Sequence, residues 1–425
     1  MVMQQSGWAR VKMIAAASAG NALEFYDFIV YGFFANALAQ AFFPGHDQTS
    51  RLLLTFGAFG VSFFARPVGA LLLGELADTK GRAFCMIVAV CLMSFASLMM
   101  ALWPGYNQIG LVAPLGILVA RLVQGFALGG EFGSSTALMI EHSAGQEAHA
   151  ASFQGVSQNV AGLLATGVAW ILSFHTEGWF GIQNFRIAFG LGAVAGLAVL
   201  ILRRKLEDAP SFKEQKKVSL KRDPVPFGPI IIAAGMVAIG TVQTYLALYL
   251  PTYATNQLHM QAHTALADIF LLYMILMAIV PFRLLFARLF DAGQNSLYMV
   301  LSCVLMAALS YPAFAILEHW PGGITLFCLP VLFNLVALPY IAPLNGFMGL
   351  VFPIRGRGVG LSTGYSIGIA LFGGTAPFIF TWLIALTGDP RSPALYLIIA
   401  TVITLAAIIA ANRELRRQKT PQAEF

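Results

Sequence analysis

RRKLEDAPSFKEQKKVSLKRDPVP, residues 203–226, is the long polar stretch of the chain and falls near its middle. On either side the sequence is a series of apolar stretches separated by short polar breaks, and a helix that crosses a bilayer needs about 20 mostly apolar residues. Six stretches of that kind precede it, at 14–43, 52–77, 83–103, 111–141, 148–173 and 184–203. Six follow, at 228–253, 263–287, 297–317, 324–351, 359–387 and 393–412. The chain is therefore expected to be an all-α membrane protein of twelve transmembrane helices. They form two six-helix pseudo-symmetric bundles, 1–203 and 227–425, joined by a cytoplasmic linker at 204–226.

Composition agrees. Of 425 residues, 58% are hydrophobic and 10% charged, whereas a soluble domain runs near 25% charged. The first apolar stretch is expected to be a retained helix, because Ala17-Ser18-Ala19 follows Lys12 too closely to leave room for a signal-peptide core. The cysteines at 85, 91, 303 and 328 lie in apolar spans without metal-ligand spacing and are expected to be small core residues. No metal or cofactor is expected.

The basic residues set the orientation. Of the 25 Lys and Arg, 19 fall on one side: Arg10, Lys12, Lys80, Arg82, the eight from Arg203 to Arg222, Arg288, Arg355, Arg357 and the four from Arg413 to Lys419. The opposite loops carry Arg51, Arg186 and Arg391. Both termini are therefore expected in the cytoplasm, and the net charge of +6 reflects topology, with no nucleic-acid partner needed.

Internal similarity supports two halves. Asp78 in GELADTKGR matches Asp291 in ARLFDAGQN, 213 residues later, each closing the second helix of its half. At nearly the same offset SFQGVS (152–157) matches LSTGYS (361–366), pairing Gly155 with Gly364 and Ser157 with Ser366. Repeated six-span halves are a known transporter design, with the substrate site near the bilayer midplane.

The loop GELADTKGR (74–82) resembles the G-x-L-a-D-x-x-G-R-[RK] signature of the major facilitator superfamily, in that family's position between spans two and three. GNALEFYDF (20–28), ARPVGALLLG (65–74), RLVQGFALGGEFG (121–133) and LFGGTAPF (371–378) narrow the resemblance to the metabolite:proton symporters, nearest to the citrate and tricarballylate branch. The resemblance covers essentially the whole chain. It implies the fold of that superfamily and proton-coupled uptake of a small molecule; members carry citrate, tricarballylate, 2-oxoglutarate and shikimate, or zwitterionic osmolytes such as proline and betaine. Two features depart from the pattern. DAGQNSLYM lacks the D-R-x-G-R-R common in relatives, and Leu350 stands where they often have Glu.

A charge at the centre of a span costs about 2.5 to 3.5 kcal/mol on insertion scales and usually faces a partner or a watery cavity. Glu24 and Asp27 lie in span one, Arg66 in span two, Arg121 and Glu131 in span four, and Arg283 in span eight. At 100° per residue, Asn21, Glu24, Asp27 and Tyr31 fall within an arc of about 120°, so span one carries a polar stripe. A carboxylate held out of water favours its protonated form and can load and release a proton near neutral pH. Glu24 and Asp27 are thus candidate proton-coupling residues; the alternative is a structural ion pair with a buried Arg. Arg121, about 15 Å into span four, offers a planar fork for a carboxylate and cannot lose its charge. It is a candidate substrate residue, or else the permanent partner of Asp27 or Glu24. Gln124, Glu131 and Ser135 share its face. Glu131 is either a third proton site or a partner for Arg66 or the inner loop.

Gln154 and Gln158, one turn apart on span five, suit either a polar ligand or interhelical hydrogen bonds. The second half supplies hydroxyls and amides: Tyr245 and Tyr249 on span seven, Asn334, Tyr340 and Asn345 on span ten, Ser362 and Tyr365 on span eleven. From these, Asn21, Tyr31, Arg121, Gln124, Gln154, Gln158, Tyr249, Asn345 and Tyr365 are the expected substrate contacts. Asp78, Arg82 and Asp291 are expected at the inner gate. Arg283, near a span end, can snorkel.

No HExxH, GxSxG or paired metal-ligand set appears in the spans, so an enzyme is not expected. No charged ring or filter loop suggests a channel. The expected partners are a small carboxylate, protons and the lipid bilayer, with a monomer as the unit. An osmolyte symporter and an exporter of organic anions are the alternatives.

Overall fold

The computed structural model describes residues 7–45, 47–141, 147–175, 178–179, 181–203, 227–289, 296–352 and 357–419. The polar linker expected at 204–226 and Asp291 of the second gate lie outside them. The described chain is helical apart from an isolated bridge between Trp179 and Ile182. This is what a bilayer imposes, since each backbone N–H and C=O must find its partner within its own segment. Two compact units divide the chain, Met1–Leu220 and Lys221–Phe425.

The first unit contains α1 (Gly7–Phe33), α2 (Ala35–Phe42), α3 (Gln48–Lys80), α4 (Arg82–Leu102), the short α5 (Tyr106–Ile109), α6 (Val112–Glu141), α7 (Glu147–Leu172) and α8 (Asn184–Arg203). The second contains α9 (Phe227–Met236), α10 (Ala238–Asn256), α11 (Ala262–Leu289), α12 (Ser296–His319), α13 (Gly323–Leu350), α14 (Arg357–Gly368), a π-helical turn at Ile369–Gly373, α15 (Ala376–Thr387) and α16 (Pro393–Lys419). Each of the twelve expected stretches carries helix among the described residues. Among the described residues ten helices are long and apolar enough to cross a membrane, or eleven when α9 and α10, bent by 41°, count as one. The helix α1 is outside that set; Asn21, Glu24 and Asp27 make it polar along one face. Large side chains face outward, among them Leu71, Leu102 and Ile324. Such a surface suits lipid and would aggregate in water.

Three spans are interrupted where the sequence reads as continuous. Span one breaks at Phe34, between α1 and α2. Span seven bends at Val237, where Thr404 bridges the break: its hydroxyl accepts from the Ile239 N–H and donates to the Gly235 carbonyl, each at 3.1 Å. The Tyr340 hydroxyl donates to the Met236 carbonyl beside it. A side chain inserted into the helical ladder is a recognised cause of a kink. Span eleven contains the π turn, and the Tyr396 hydroxyl donates to the Phe372 carbonyl at 3.0 Å.

In the first unit α3 and α6 meet backbone to backbone. A Cβ on Gly125 would lie 1.8 Å from the Ser62 carbonyl oxygen, and one on Gly129 2.1 Å from that of Arg66. Gly69 on α3 returns the contact, 1.9 Å from the Phe126 oxygen. This is the small-residue spacing that lets membrane helices approach closely, and it accounts for Gly69 of ARPVGALLLG and for Gly125 and Gly129 of RLVQGFALGG. Cys85 and Cys303 are buried as expected, but Cys91 and Cys328 face outward. An apolar span offers a small thiol a place on either side.

Candidate functional site

The polar stripe of α1 turns inward against α4, α6, α7 and α8, and it forms two buried layers. The first centres on Asp27, which is fully buried. Its Oδ2 accepts from the Ser97 hydroxyl of α4 and from Gln124 Nε2 of α6 at 3.2 Å. Its Oδ1 has no hydrogen-bond partner among the described residues. Gly192 of α8 makes the room, since a Cβ there would stand 2.5 Å from Oδ1.

Arg121 is also fully buried. Its Nη1 donates to Gln124 Oε1 at 2.7 Å, so Gln124 stands between the two charges. Three rings enclose the guanidinium: its carbon lies 4.4 Å from the centres of Phe28 and Tyr31 and 4.9 Å from that of Phe59. Each such cation–π contact contributes on the order of 0.5 to 2 kcal/mol, more when desolvated. The cage therefore helps to offset the cost of holding a cation here. Tyr31 acts through its ring, because its hydroxyl donates to the Thr55 carbonyl at 2.8 Å. Asn21, six residues before Asp27 on α1, donates from Nδ2 to Ser157 Oγ of α7 at 2.6 Å.

The second layer holds a charge pair that the sequence reading did not foresee. Glu131 pairs with Arg203, the last residue of α8, through both oxygens: Nη1 to Oε2 at 2.8 Å and Nη2 to Oε1. Arg203 also donates to the carbonyls of Ala16 at 3.1 Å, Ala17 at 3.0 Å and Met86 at 2.8 Å. Both side chains are fully buried. The sequence suggests Arg66 or the inner loop as a partner for Glu131; its partner is Arg203, which closes span six and reads in the sequence as one of the loop cations. Gly20 of α1 leaves the space, for a Cβ there would lie 2.0 Å from Arg203 Nη2.

Glu24 lies between the layers. It is 1% exposed, and its Oε2 has no hydrogen-bond partner among the described residues. The charges acting on it are those of Glu131, Arg66, Arg203 and Asp27. Glu24 and Asp27 are thus the two buried carboxylates of this unit, among the described residues, that keep an unpartnered oxygen.

The remaining expected residues are less concentrated. Gln158 is half-buried on α7, and the side chain of Gln154 lies outside the described residues. In the second unit Tyr249 is buried and accepts from the Thr381 hydroxyl at 3.5 Å, with the Phe380 ring tilted against it 5.3 Å away. Tyr365 is half-buried, and the Asn345 side chain lies outside the description. At the inner turn Arg82 is half-buried, while the side chains of Asp78, Arg283 and Ser362 lie outside it.

Sequence reasoning missed Ser97, Arg203 and Gln243. The offset of 213 residues was the available signal for the first. It carries Met93 and Ser97 onto Met306 and Ser310, and in both places the serine hydroxyl donates to the methionine carbonyl, at 3.0 and 2.7 Å. The same offset carries Arg121 onto Asn334.

A family model described as Major Facilitator Superfamily matches residues 17–373. The "Citrate-proton symporter" of Klebsiella pneumoniae is 31% identical over 96% of this chain and 93% of its own length. The "Alpha-ketoglutarate permease" of Escherichia coli (strain K12) is 33% identical over 87% and 86%. A "Putative proline/betaine transporter" of Staphylococcus aureus (strain COL) is 31% identical over 93% and 87%. Among solved structures, the crystal structure of a D-xylose-proton symporter superposes with a TM-score of 0.75 at 16% identity, covering 94% of this chain and 97% of that one.

Proposed function

The chain belongs to the Major Facilitator Superfamily, and from that premise we propose that it is a proton-coupled symporter of a small organic anion. The substrate is a di- or tricarboxylate such as citrate or tricarballylate, taken up by alternating access across a bacterial inner membrane. Both termini are cytoplasmic, and two six-helix bundles, 1–203 and 227–425, are joined by a linker at 204–226. The observation that carries this reading is the chain of bonds from Arg121 through Gln124 to Asp27.

A guanidinium keeps its charge and binds carboxylates through two parallel bonds. Asp27 and the substrate carboxylate compete for that cation. When Asp27 takes a proton it stops drawing on Gln124 and on the field of Arg121, and the substrate anion meets a cation that is no longer shared. Loss of the proton reverses this. Coupling of two ligands is reciprocal, so an anion bound at Arg121 holds the proton on Asp27. Glu24 supplies a second place for a proton. Glu131, tied to Arg203, serves the structure instead.

Asn21, Gln158, Gln154, Tyr249, Asn345 and Tyr365 orient the substrate, and Asp78, Arg82 and Asp291 belong to the inner gate. Two of the three relatives named above are described as carriers of carboxylic acids, which supports the substrate class. The third favours a second reading, a zwitterion such as proline. Uptake of radiolabelled citrate, tricarballylate, 2-oxoglutarate and proline into proteoliposomes under an imposed proton gradient decides between them. Full uptake after the gradient is collapsed, with no other ion gradient present, refutes symport.

A further inference from the structure

Gln243 on α10 is 7% exposed, yet among the described residues neither its Nε2 nor its Oε1 has a hydrogen-bond partner. A buried polar group left unpaired costs about 1 to 3 kcal/mol, and native proteins keep few of them without a reason. The side chain lines a small, partly open cavity of about 30 Å³ within the second unit. The walls come from α10, α12 and α13, chiefly Leu246, Leu250, Phe314, Leu317 and Phe333. No lining residue is charged. The other amide at the wall, Asn334, donates to the Pro330 carbonyl at 2.9 Å.

We propose that Gln243 and this cavity form a binding site for a carboxyl group in its protonated form. A carboxamide presents one donor and one acceptor side by side. The complementary group must offer an acceptor and a donor at the same spacing, and a protonated carboxyl does so: its O–H donates to Oε1 and its carbonyl accepts from Nε2. An ionised carboxylate has acceptors alone. It would oppose Oε1 and lose its hydration among leucines and phenylalanines, which is costly without a partner cation. The first unit differs at the matching place: the residue 213 positions before Asn334 is Arg121, which selects the anion.

The identity of the acid rests on the function proposed above. On that reading, one carboxyl of the substrate is held as the acid in the second unit, so part of the proton load rides on the substrate itself rather than on Asp27 or Glu24.

Two analogues that differ at one carboxyl test the site: tricarballylate monoamide, which keeps donor and acceptor, and tricarballylate monomethyl ester, which keeps the acceptor alone. Each is titrated calorimetrically into detergent-purified wild-type protein and into Gln243→Leu, with Gln243→Met as a second apolar replacement should the first not fold. The monoamide is expected to bind wild type about tenfold more tightly than the ester, one net hydrogen bond. The preference should vanish in the variants. No binding of the monoamide to wild type, equal affinities there, or a preference that survives in the variants overturns the site. Proton-driven uptake of tricarballylate on the same proteins separates the two ideas. Absent uptake with the amide preference intact sinks the symport reading and leaves the site; uptake without that preference sinks the site alone.

Discussion

Gln124 joins Arg121 to Asp27: its carbonyl oxygen accepts from the guanidinium at 2.7 Å and its amide nitrogen donates to the carboxylate at 3.2 Å. Two opposite charges in direct contact would neutralise each other and leave little for a substrate or a proton. An intervening amide keeps them in communication without direct contact between them.

Removing that bridge is the first test. Gln124→Leu should weaken substrate binding by about 1.5 to 3 kcal/mol, a tenfold to hundredfold loss. Gln124→Glu should be worse, because a carboxylate there would pair directly with Arg121 and repel Asp27. Uptake kinetics in proteoliposomes measure both; wild-type kinetics in Gln124→Leu would show that the bridge is incidental.

Asp27→Asn keeps the shape of the side chain and its bonds but cannot exchange a proton. Uphill accumulation should be lost while substrate counterflow persists. A variant present at normal levels that still accumulates substrate would move the coupling role to Glu24.

Arg121→Lys preserves charge but gives up the fork and the flat face that three rings enclose. Affinity should fall roughly tenfold to a hundredfold, and Arg121→Ala should fall further. Calorimetric titration of purified protein is the measurement, and unchanged affinity in Arg121→Lys would refute recognition by two parallel bonds.

The Glu131–Arg203 pair is predicted to act on stability. Arg203→Leu should destabilise the protein by about 3 to 5 kcal/mol, because it leaves Glu131 buried without its cation. Adding Glu131→Leu should recover much of that loss, since a buried pair is often replaceable by apolar side chains. Thermal unfolding in detergent reports both, and a double variant less stable than the single one would contradict this account.

The order of the spans and their ends, to within a few residues, were legible in the sequence because lipid imposes one rule on every segment: about 20 apolar residues, helical throughout. The polar stripe of α1 and the depth of Arg121 followed from helical spacing alone. What escaped was set by contacts between helices. Arg203 reads as the first of a basic run, and its burial depends on Glu131 and on three carbonyls from two other helices. Ser97 is an ordinary serine in an apolar span until Asp27 packs against it. The bend at Val237 lies between Gly235 and Gly240, which look ordinary in an apolar span, and the side chain that bridges it, Thr404, lies 165 residues from Ile239.

The backbone contact of α3 with α6 has a mechanical meaning. Side chains between helices act as compliant springs, and at Gly69, Gly125 and Gly129, which rest on the backbone of the other helix, the springs are missing. The two helices should therefore flex as one beam, with the tight turn at Gly81 at one end of α3 and Arg121 seated one turn before Gly125 on α6. A displacement imposed at that turn, by a wedging antibody fragment for instance, would reach the caged guanidinium as rigid-body motion, with no relay of rotamer changes in between.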